Sequence, residues 1–441
     1  MRILQLSNFY PPHSFGGYEQ WCEEVTERLR GSGHTVTVLT SRFRHKGVAD
    51  ADEPRVHRNL KLEMEFASLS NAVRFFTDRA GDERANLACV SDTIATVRPD
   101  CIVIWGMWNI HRSVAACAER LLPGRVVYYV GDYWPSLPSQ YEPYWTSPAQ
   151  SWVSAVVKAP LRTLALRTLR REGRPQLSFQ HALFPTAFVR DELARRQVRA
   201  ANSQIVFGGV DTAPYTESRV ERPRQPGVVR LLWVGRLAAE KGPEVAIRAL
   251  NHLRHGPHQV EAQLTIAGSG DAAYEQHLHR LVAAENVTDR VQFVGNQSKA
   301  ELVQLYRNAD VFLFTSLWPE PFGRTVIEAM ASGLPVVGTP TGGAAELLVD
   351  RENALCAGAG DAVEFAARVA ELVVDPNLRT ALVSRARRDA CQRFDISRMA
   401  SEIEQCLVEL IGRGEPISSG NEPLHAPTGR TYAGLSSAPV Q

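Results

Sequence analysis

No stretch of the 441-residue chain approaches the about 18 uninterrupted apolar residues that a membrane-crossing helix needs, so none is expected. Cysteine is sparse. Cys22, Cys89, Cys101, Cys117, Cys356, Cys391 and Cys406 are scattered and odd in number, with no Cys-x-x-Cys, which argues against a disulfide framework and a zinc site and fits a reducing cytoplasm. A surplus of charge of one sign is missing too: Lys plus Arg number 49 and Asp plus Glu 48. No nucleic-acid footprint is expected from that balance, and any site for a polyanion must be local. The opening MRILQLSNFYPP has no apolar segment ending in a cleavage site, so no secretory leader is expected there. The first glycine loop, PPHSFGG, lacks Gly-x-Gly-x-x-Gly, which counts against a dinucleotide dehydrogenase.

What the chain does have is a regular alternation of short apolar runs and helical patterns, the mark of parallel sheets with crossover helices. RILQLS (2–7) and TVTVLT (35–40) read as strands, separated by a helix on which Tyr18, Trp21, Cys22, Val25 and Leu29 recur at helical spacing. CIVIW (101–105), RVVYYV (125–130), HALFPT (181–186) and QIVFGGV (204–210) continue the series, with a helix near 111–122. After a polar, proline-rich stretch at 211–227 a second series begins: VRLLWVGRL, AQLTIAGSG, RVQFVG, DVFLFTS and LPVVGTP. The expectation is α/β with two facing doubly wound domains, 1–215 and 228–394, then a helix at 395–412 packing back on the first domain and a disordered tail at 413–441. Such sheets bind ligands in a cleft at the carboxyl ends of their strands.

The segment WPEPFGRTVIEAMASGLPVV (318–337) lies in such a place. DVFLFTS is a strand, LWPEPFG a turn, and RTVIEAMASG a helix whose first N–H groups lack internal partners and so attract phosphate. Gly323 lets the backbone come close, and Glu328 falls roughly 6 Å down the axis from Arg324 on the same face. A diphosphate on the helix start puts a ribose near Glu328 and a sugar near Glu320, since carboxylates accept hydrogen bonds from hydroxyl pairs. VGRLAAEKG supplies Arg236 and Lys241, two cations able to neutralise a leaving diphosphate. Asn296 and Gln297 in FVGNQ are candidates for a base edge.

These residues resemble the retaining nucleotide-sugar glycosyltransferases of the GT-B fold, family 4, over nearly the whole chain to about residue 412. The resemblance rests on Gly235-Arg236 with Lys241-Gly242 and on Glu320, Pro321, Phe322, Gly323 and Glu328 followed by EAMASGLPVV. It implies that Arg236 and Lys241 bind the diphosphate with help from the backbone of Phe322, Gly323, Arg324 and Thr325, that Glu320 meets the donor sugar, and that Glu328 holds the ribose. It further implies a donor such as a UDP-sugar, or next a GDP-sugar, an acceptor hydroxyl on a glycan, lipid-linked or small molecule, and retention in which the departing phosphate helps deprotonate the acceptor. The rival readings are a nucleotide-sugar epimerase of similar fold and a non-catalytic sugar-nucleotide-binding partner.

In the first domain Gly16 and Gly17 open a helix facing the cleft, where a phosphate or sugar could approach. His111 follows CIVIWGMWN where the family commonly keeps a histidine near the donor sugar. Asp132 follows another strand, in a place where similar enzymes often read His-Asp; here Gly131 replaces the histidine. Asp132, Tyr133 and Trp134 are the expected acceptor contacts, and the dense aromatics that follow (Tyr141, Tyr144, Trp145) suit stacking on sugar faces or core packing. The basic run Lys158, Arg162, Arg167, Arg170, Arg171, Arg174 reads either as a solvated helix face, interrupted by Pro160, or as a weak peripheral contact of 151–174 with the inner face of an anionic membrane. DAD (50–52) is a chance match to a metal-binding Asp-x-Asp, so neither metal nor cofactor is expected.

Overall fold

The computed structural model describes residues 1–50, 53–66, 70–148, 152–216 and 227–413, without the side chains of 152–157 and 413. Of the expected tail at 413–441, Arg413 closes the last helix and 414–441 lie outside the described residues, as do most of the inter-domain stretch and part of the DAD motif.

Seven strands, β1 (Arg2–Ser7), β2 (Thr35–Ser41), β3 (Val56–Leu60), β4 (Cys101–Ile104), β5 (Val126–Tyr129), β6 (His181–Phe184) and β7 (Asn202–Ile205), form one sheet in the order β3-β2-β1-β4-β5-β6-β7. Six more, β8 (Val229–Val234), β9 (Ala262–Ala267), β10 (Val291–Gly295), β11 (Val311–Phe314), β12 (Val336–Gly338) and β13 (Leu355–Cys356), form a second in the order β10-β9-β8-β11-β12-β13. Both sheets are parallel throughout. In β1 the successive residues Ile3 and Leu4, and then Leu6, are all buried, so both sheet faces are covered by helices, as parallel sheets require.

The strand order reverses between β1 and β4 and again between β8 and β11. Leu4 pairs with Thr37 on one side and Ile102 on the other; Leu232 pairs with Thr265 and Phe312. Those reversals open crevices outside the carboxyl ends of the central strands. The edge strands β3 and β13 were not legible, because VHRNL alternates half-buried and exposed residues and β13 is only two residues long.

The last helix, Ile396–Arg413, lies against the first domain. Just before it, Val210 N–H donates to Phe394 O at 2.9 Å and Ile396 N–H to Val210 O at 2.9 Å. Along it, His34 meets Glu404 at 2.8 Å and Cys406 Sγ meets Gln204 at 3.0 Å. The helix Trp152–Glu172 corrects one expectation: Pro160 does not interrupt it, since a proline inside a helix removes a single N–H. Lys158 is also withdrawn from the basic face, donating to Ser147 O at 2.8 Å and lying 4.7 Å over the Tyr144 ring. Arg162, Arg167, Arg170 and Arg171 remain exposed. No helix among the described residues is long and apolar enough to cross a membrane.

The two domains touch through the ends of their strands. Thr186, after β6, donates to Pro321 O at 2.9 Å, and Tyr133, after β5, donates to Pro319 O at 2.9 Å. Glu346 reaches across to accept the N–H groups of Ala187 and Phe188, at 3.0 and 2.8 Å, which open the helix Ala187–Arg195. A carboxylate on orphan N–H groups at a helix start is stabilising. Glu346→Gln, which keeps the shape and removes the charge, is expected to cost about 1 to 2 kcal/mol in urea unfolding; an unchanged midpoint would deny the contact any role in holding the domains.

Candidate active site

The loops after β8 and β11 are laced together at the second reversal. Leu317 and Trp318 N–H both donate to Glu240 O, at 2.9 and 3.1 Å, and Thr315 Oγ1 donates to Gly242 O at 2.7 Å. This lacing carries Lys241 to Glu320: Nζ stands 2.6 Å from Oε1, to which Ser316 Oγ also donates at 2.7 Å. Glu320 is buried, whereas the Lys241 side chain keeps 28% of its surface open. Beyond the loop the helix Arg324–Ala331 begins at Gly323, whose φ of +132° is open to glycine and strained for other residues. Among the described residues no side chain caps this helix start, so its free N–H groups and positive dipole end suit an anion.

Glu328 sits one turn down, buried, with Tyr306 O–H donating to its Oε2 at 2.9 Å. Burial pushes its carboxyl above the ordinary range, against the opposing pull of Arg324 and Tyr306. One of its two oxygens is thus already oriented by the protein. Arg236, by contrast, is 59% exposed and paired with Glu240 at 2.6 Å. Gln297 turns back on its own loop, donating to Val294 O at 2.7 Å, and Asn296 is exposed beside it. Thr325 offers its carbonyl to Tyr306 at 3.3 Å.

The protein's own side chains fill much of the space around the expected site. Gly17 does leave room for a close approach, but a Cβ there would lie 2.4 Å from Arg324 Cδ, so the space is taken by the arginine stem. Arg324 itself is turned away from the helix start, both terminal nitrogens on Glu24 of the first domain at 3.0 and 3.1 Å. The aromatics after Asp132 are core: Tyr141 and Trp145 pack with Phe75, and the ring of Trp134 is buried near Tyr128 and Phe179, so it offers no face to an acceptor. Tyr133, also buried, stands edge-on to Trp318 at 5.9 Å. The ring of Phe322 packs on Trp21 and Phe394, leaving only its backbone for a ligand.

His111 is not brought to Glu320 or Lys241 by any contact among the described residues. Its Nδ1 meets Ser113 Oγ at 2.7 Å and Glu83 Oε1 at 3.0 Å. Burial works against its charged form, but the hydrogen bond to Glu83 and the charges of Glu63 and Glu83 prevail and raise its pKa.

Comparison with known proteins places this arrangement. The model of Glycosyltransferase Family 4 matches residues 15–214 and that of Glycosyl transferases group 1 matches residues 215–389, which together take in every strand but β1. The chain belongs to this group of glycosyltransferases. A glycogen synthase of Mycobacterium tuberculosis is 27% identical over 92% of the chain and 94% of its own length. A D-inositol 3-phosphate glycosyltransferase of Salinispora arenicola is 30% identical over 52% of the chain, which spans about half (54%) of that relative's length. Among solved structures, Anabaena HepE in complex with UDP and glucose superposes with a TM-score of 0.62 at 21% identity, covering 92% of this chain and 99% of that one. Sucrose-phosphate synthase of Thermosynechococcus elongatus gives 0.68 at 18% identity, covering 93% and 99%. The fold is GT-B.

In this glycosyltransferase the space that a side chain at Gly131 would need has a physical occupant. Tyr18 lies between Gly106 and Gly131, where added Cβ atoms would come within 2.9 and 2.8 Å of its ring, and its O–H donates to Tyr129 O. Beside it stand two acids, of which sequence reasoning missed Glu19. Glu19 Oε2 accepts the Gly16 N–H at 3.0 Å, and Asp132 Oδ1 accepts the Trp134 N–H at 2.8 Å. The signal available for Glu19 was its place in the first turn of the helix Gly17–Gly31.

Burial, joined by the charge of Asp132, pushes Glu19 up to about 7; burial alone pushes Asp132 up to about 6. The folded chain therefore holds protons that the unfolded chain releases above about pH 4. Stability from these two groups is full at lower pH and is lost as pH rises through 6 and 7. Asp132→Asn is expected to flatten that fall, so that its melting temperature declines less than wild type between about pH 5 and 7.5. Parallel curves for the two proteins would mean that Asp132 is charged throughout.

Proposed function

We propose that this enzyme transfers a sugar from a nucleoside-diphosphate donor, a UDP-sugar before a GDP-sugar, to an acceptor hydroxyl with the anomeric configuration kept. The observation that carries the reading is the Lys241–Glu320 contact of 2.6 Å beside the uncapped start of the helix Arg324–Ala331, at the reversal of the second sheet. In it a cation for phosphate, a carboxylate for sugar hydroxyls and free N–H groups meet on one loop. The UDP bound in the Anabaena structure supports the choice of nucleotide class.

On this reading the diphosphate settles on the N–H groups that follow Gly323. Lys241 and Arg236 swing from Glu320 and Glu240 to the phosphate oxygens and offset the charge that grows as the sugar leaves. Glu320, released, takes sugar hydroxyls while Ser316 fixes its orientation. Glu328 takes the ribose, with Tyr306 holding its other oxygen. The departing phosphate draws the proton from the acceptor hydroxyl, so no protein nucleophile takes part, and the charges of Arg236 and Lys241 do the work a metal would otherwise do. His111 and Asp132, which follow β4 and β5, are the groups assigned to substrate from the first domain.

Calorimetry against UDP-, GDP- and ADP-sugars tests the first step, and failure of all of them to bind defeats the proposal. NMR of the product's anomeric centre tests retention; an inverted centre would make His111 or Asp132 the general base. Incubating the donor alone separates transfer from epimerisation, which alters the donor without an acceptor.

A further inference from the structure

Arg324 and Glu328 stand four residues apart on one helix, the spacing at which a cation and an acid face each other. They do not pair. Arg324 instead crosses to the first domain, where the two oxygens of Glu24 hold its terminal nitrogens at 3.0 and 3.1 Å. One of those nitrogens also donates to Gly209 O at 3.1 Å, and the guanidinium lies 5.7 Å over the Trp21 ring. The Arg324 and Glu24 side chains are 12% and 14% exposed. Lys299 approaches Glu24 at 3.9 Å and Asp211 at 3.4 Å, so the acid belongs to a charge cluster that spans both domains.

A guanidinium this far out of water must have a carboxylate partner. Glu24 is one, and Glu328 is the other within reach on its own helix. Glu328 has one oxygen committed to Tyr306. We propose that Glu24 is a positioning residue for the donor: by holding Arg324 it keeps the free oxygen of Glu328 open to ribose hydroxyls. The inference rests on the ribose role given to Glu328 above. Without Glu24, Arg324 falls back onto Glu328 and competes with the nucleotide.

The test is calorimetric binding of UDP and, separately, of GDP to the full chain as wild type, Glu24→Gln, Glu24→Gln with Arg324→Leu, and Glu328→Gln. Glu24→Gln is expected to weaken the nucleotide that wild type binds by about tenfold, and to raise the donor KM far more than it lowers kcat. Adding Arg324→Leu is expected to recover most of that affinity, because the competing cation is gone. A pair that only clamps the domains together gives the opposite result, no recovery or a deeper loss, and that outcome overturns the proposal, as does wild-type affinity in Glu24→Gln. If Glu328→Gln binds as wild type does, or wild type binds neither nucleotide, the ribose reading falls and takes the proposal with it. Should Glu24→Gln not fold, Glu24→Asp, with the charge on a shorter stem, allows the same comparison with and without Arg324→Leu.

Discussion

Replacing Lys241 by alanine is expected to slow turnover by about 10²- to 10³-fold, the range found when one charge-stabilising group is removed from a site where charge develops. The reason is positional. Lys241 reaches Glu320 at 2.6 Å from a loop pinned to its neighbour through Glu240 O, so on the proposed reading its ammonium has only a short swing to make to the diphosphate. Arg236→Ala should cost less: that side chain is 59% exposed and bound to Glu240, and a solvated cation stabilises a transition state weakly. The substitution at 241 has a second consequence. It leaves the Glu320 carboxylate buried with Ser316 as its remaining side-chain donor among the described residues, so the melting temperature should fall as well. Release of nucleoside diphosphate, followed at saturating donor with a melting curve at the same pH, separates the two effects. A folded Lys241→Ala protein with unaltered turnover would remove this residue from the reaction.

The sequence made the sheets legible because burial on both faces leaves a strong mark. Runs such as RILQLS and DVFLFTS have few polar residues to place, so their strands could be found without knowing what covers them. The loop at 318–323 and the helix after it were legible for a different reason. Glu320, Gly323 and Glu328 lie within nine residues of chain, one on the turn, one at the helix start and one in the helix, so their neighbourhood can be read from local geometry. What the sequence does not display is a partner at long range. Nothing near Arg324 indicates Glu24, and the fate of that guanidinium depends on a helix three hundred positions earlier. The aromatics between Tyr133 and Trp145 left two readings open for a related reason, since density of rings reports buried area and not whether the burying surface is ligand or protein. Gly131 is the most instructive position. The missing side chain reads as a loss until Tyr18 is seen in the space it would need.

Phe322→Ala is expected to destabilise the protein by about 3 to 5 kcal/mol, the cost of removing a fully buried phenyl ring and leaving a cavity. The ring is 2% exposed and comes from the donor loop of the second domain, yet its contacts are Trp21 at 5.4 Å and Phe394 at 5.9 Å, one on the helix Gly17–Gly31 and the other where the chain returns to the first domain. It is therefore a plug between domains, and its loss differs from that of a residue inside one sheet's core. Urea unfolding followed by tryptophan fluorescence should show the lower midpoint. Donor affinity should fall in parallel, because the backbone from Pro321 to Gly323 that frames the helix start loses its anchor. Phe322→Leu, which refills most of the volume, should cost under about 1.5 kcal/mol and leave the donor affinity nearer to wild type. If Phe322→Ala lowered the midpoint while donor affinity stayed as it was, the ring would be packing alone, and the helix start would owe its position to the Thr186 and Glu346 contacts instead.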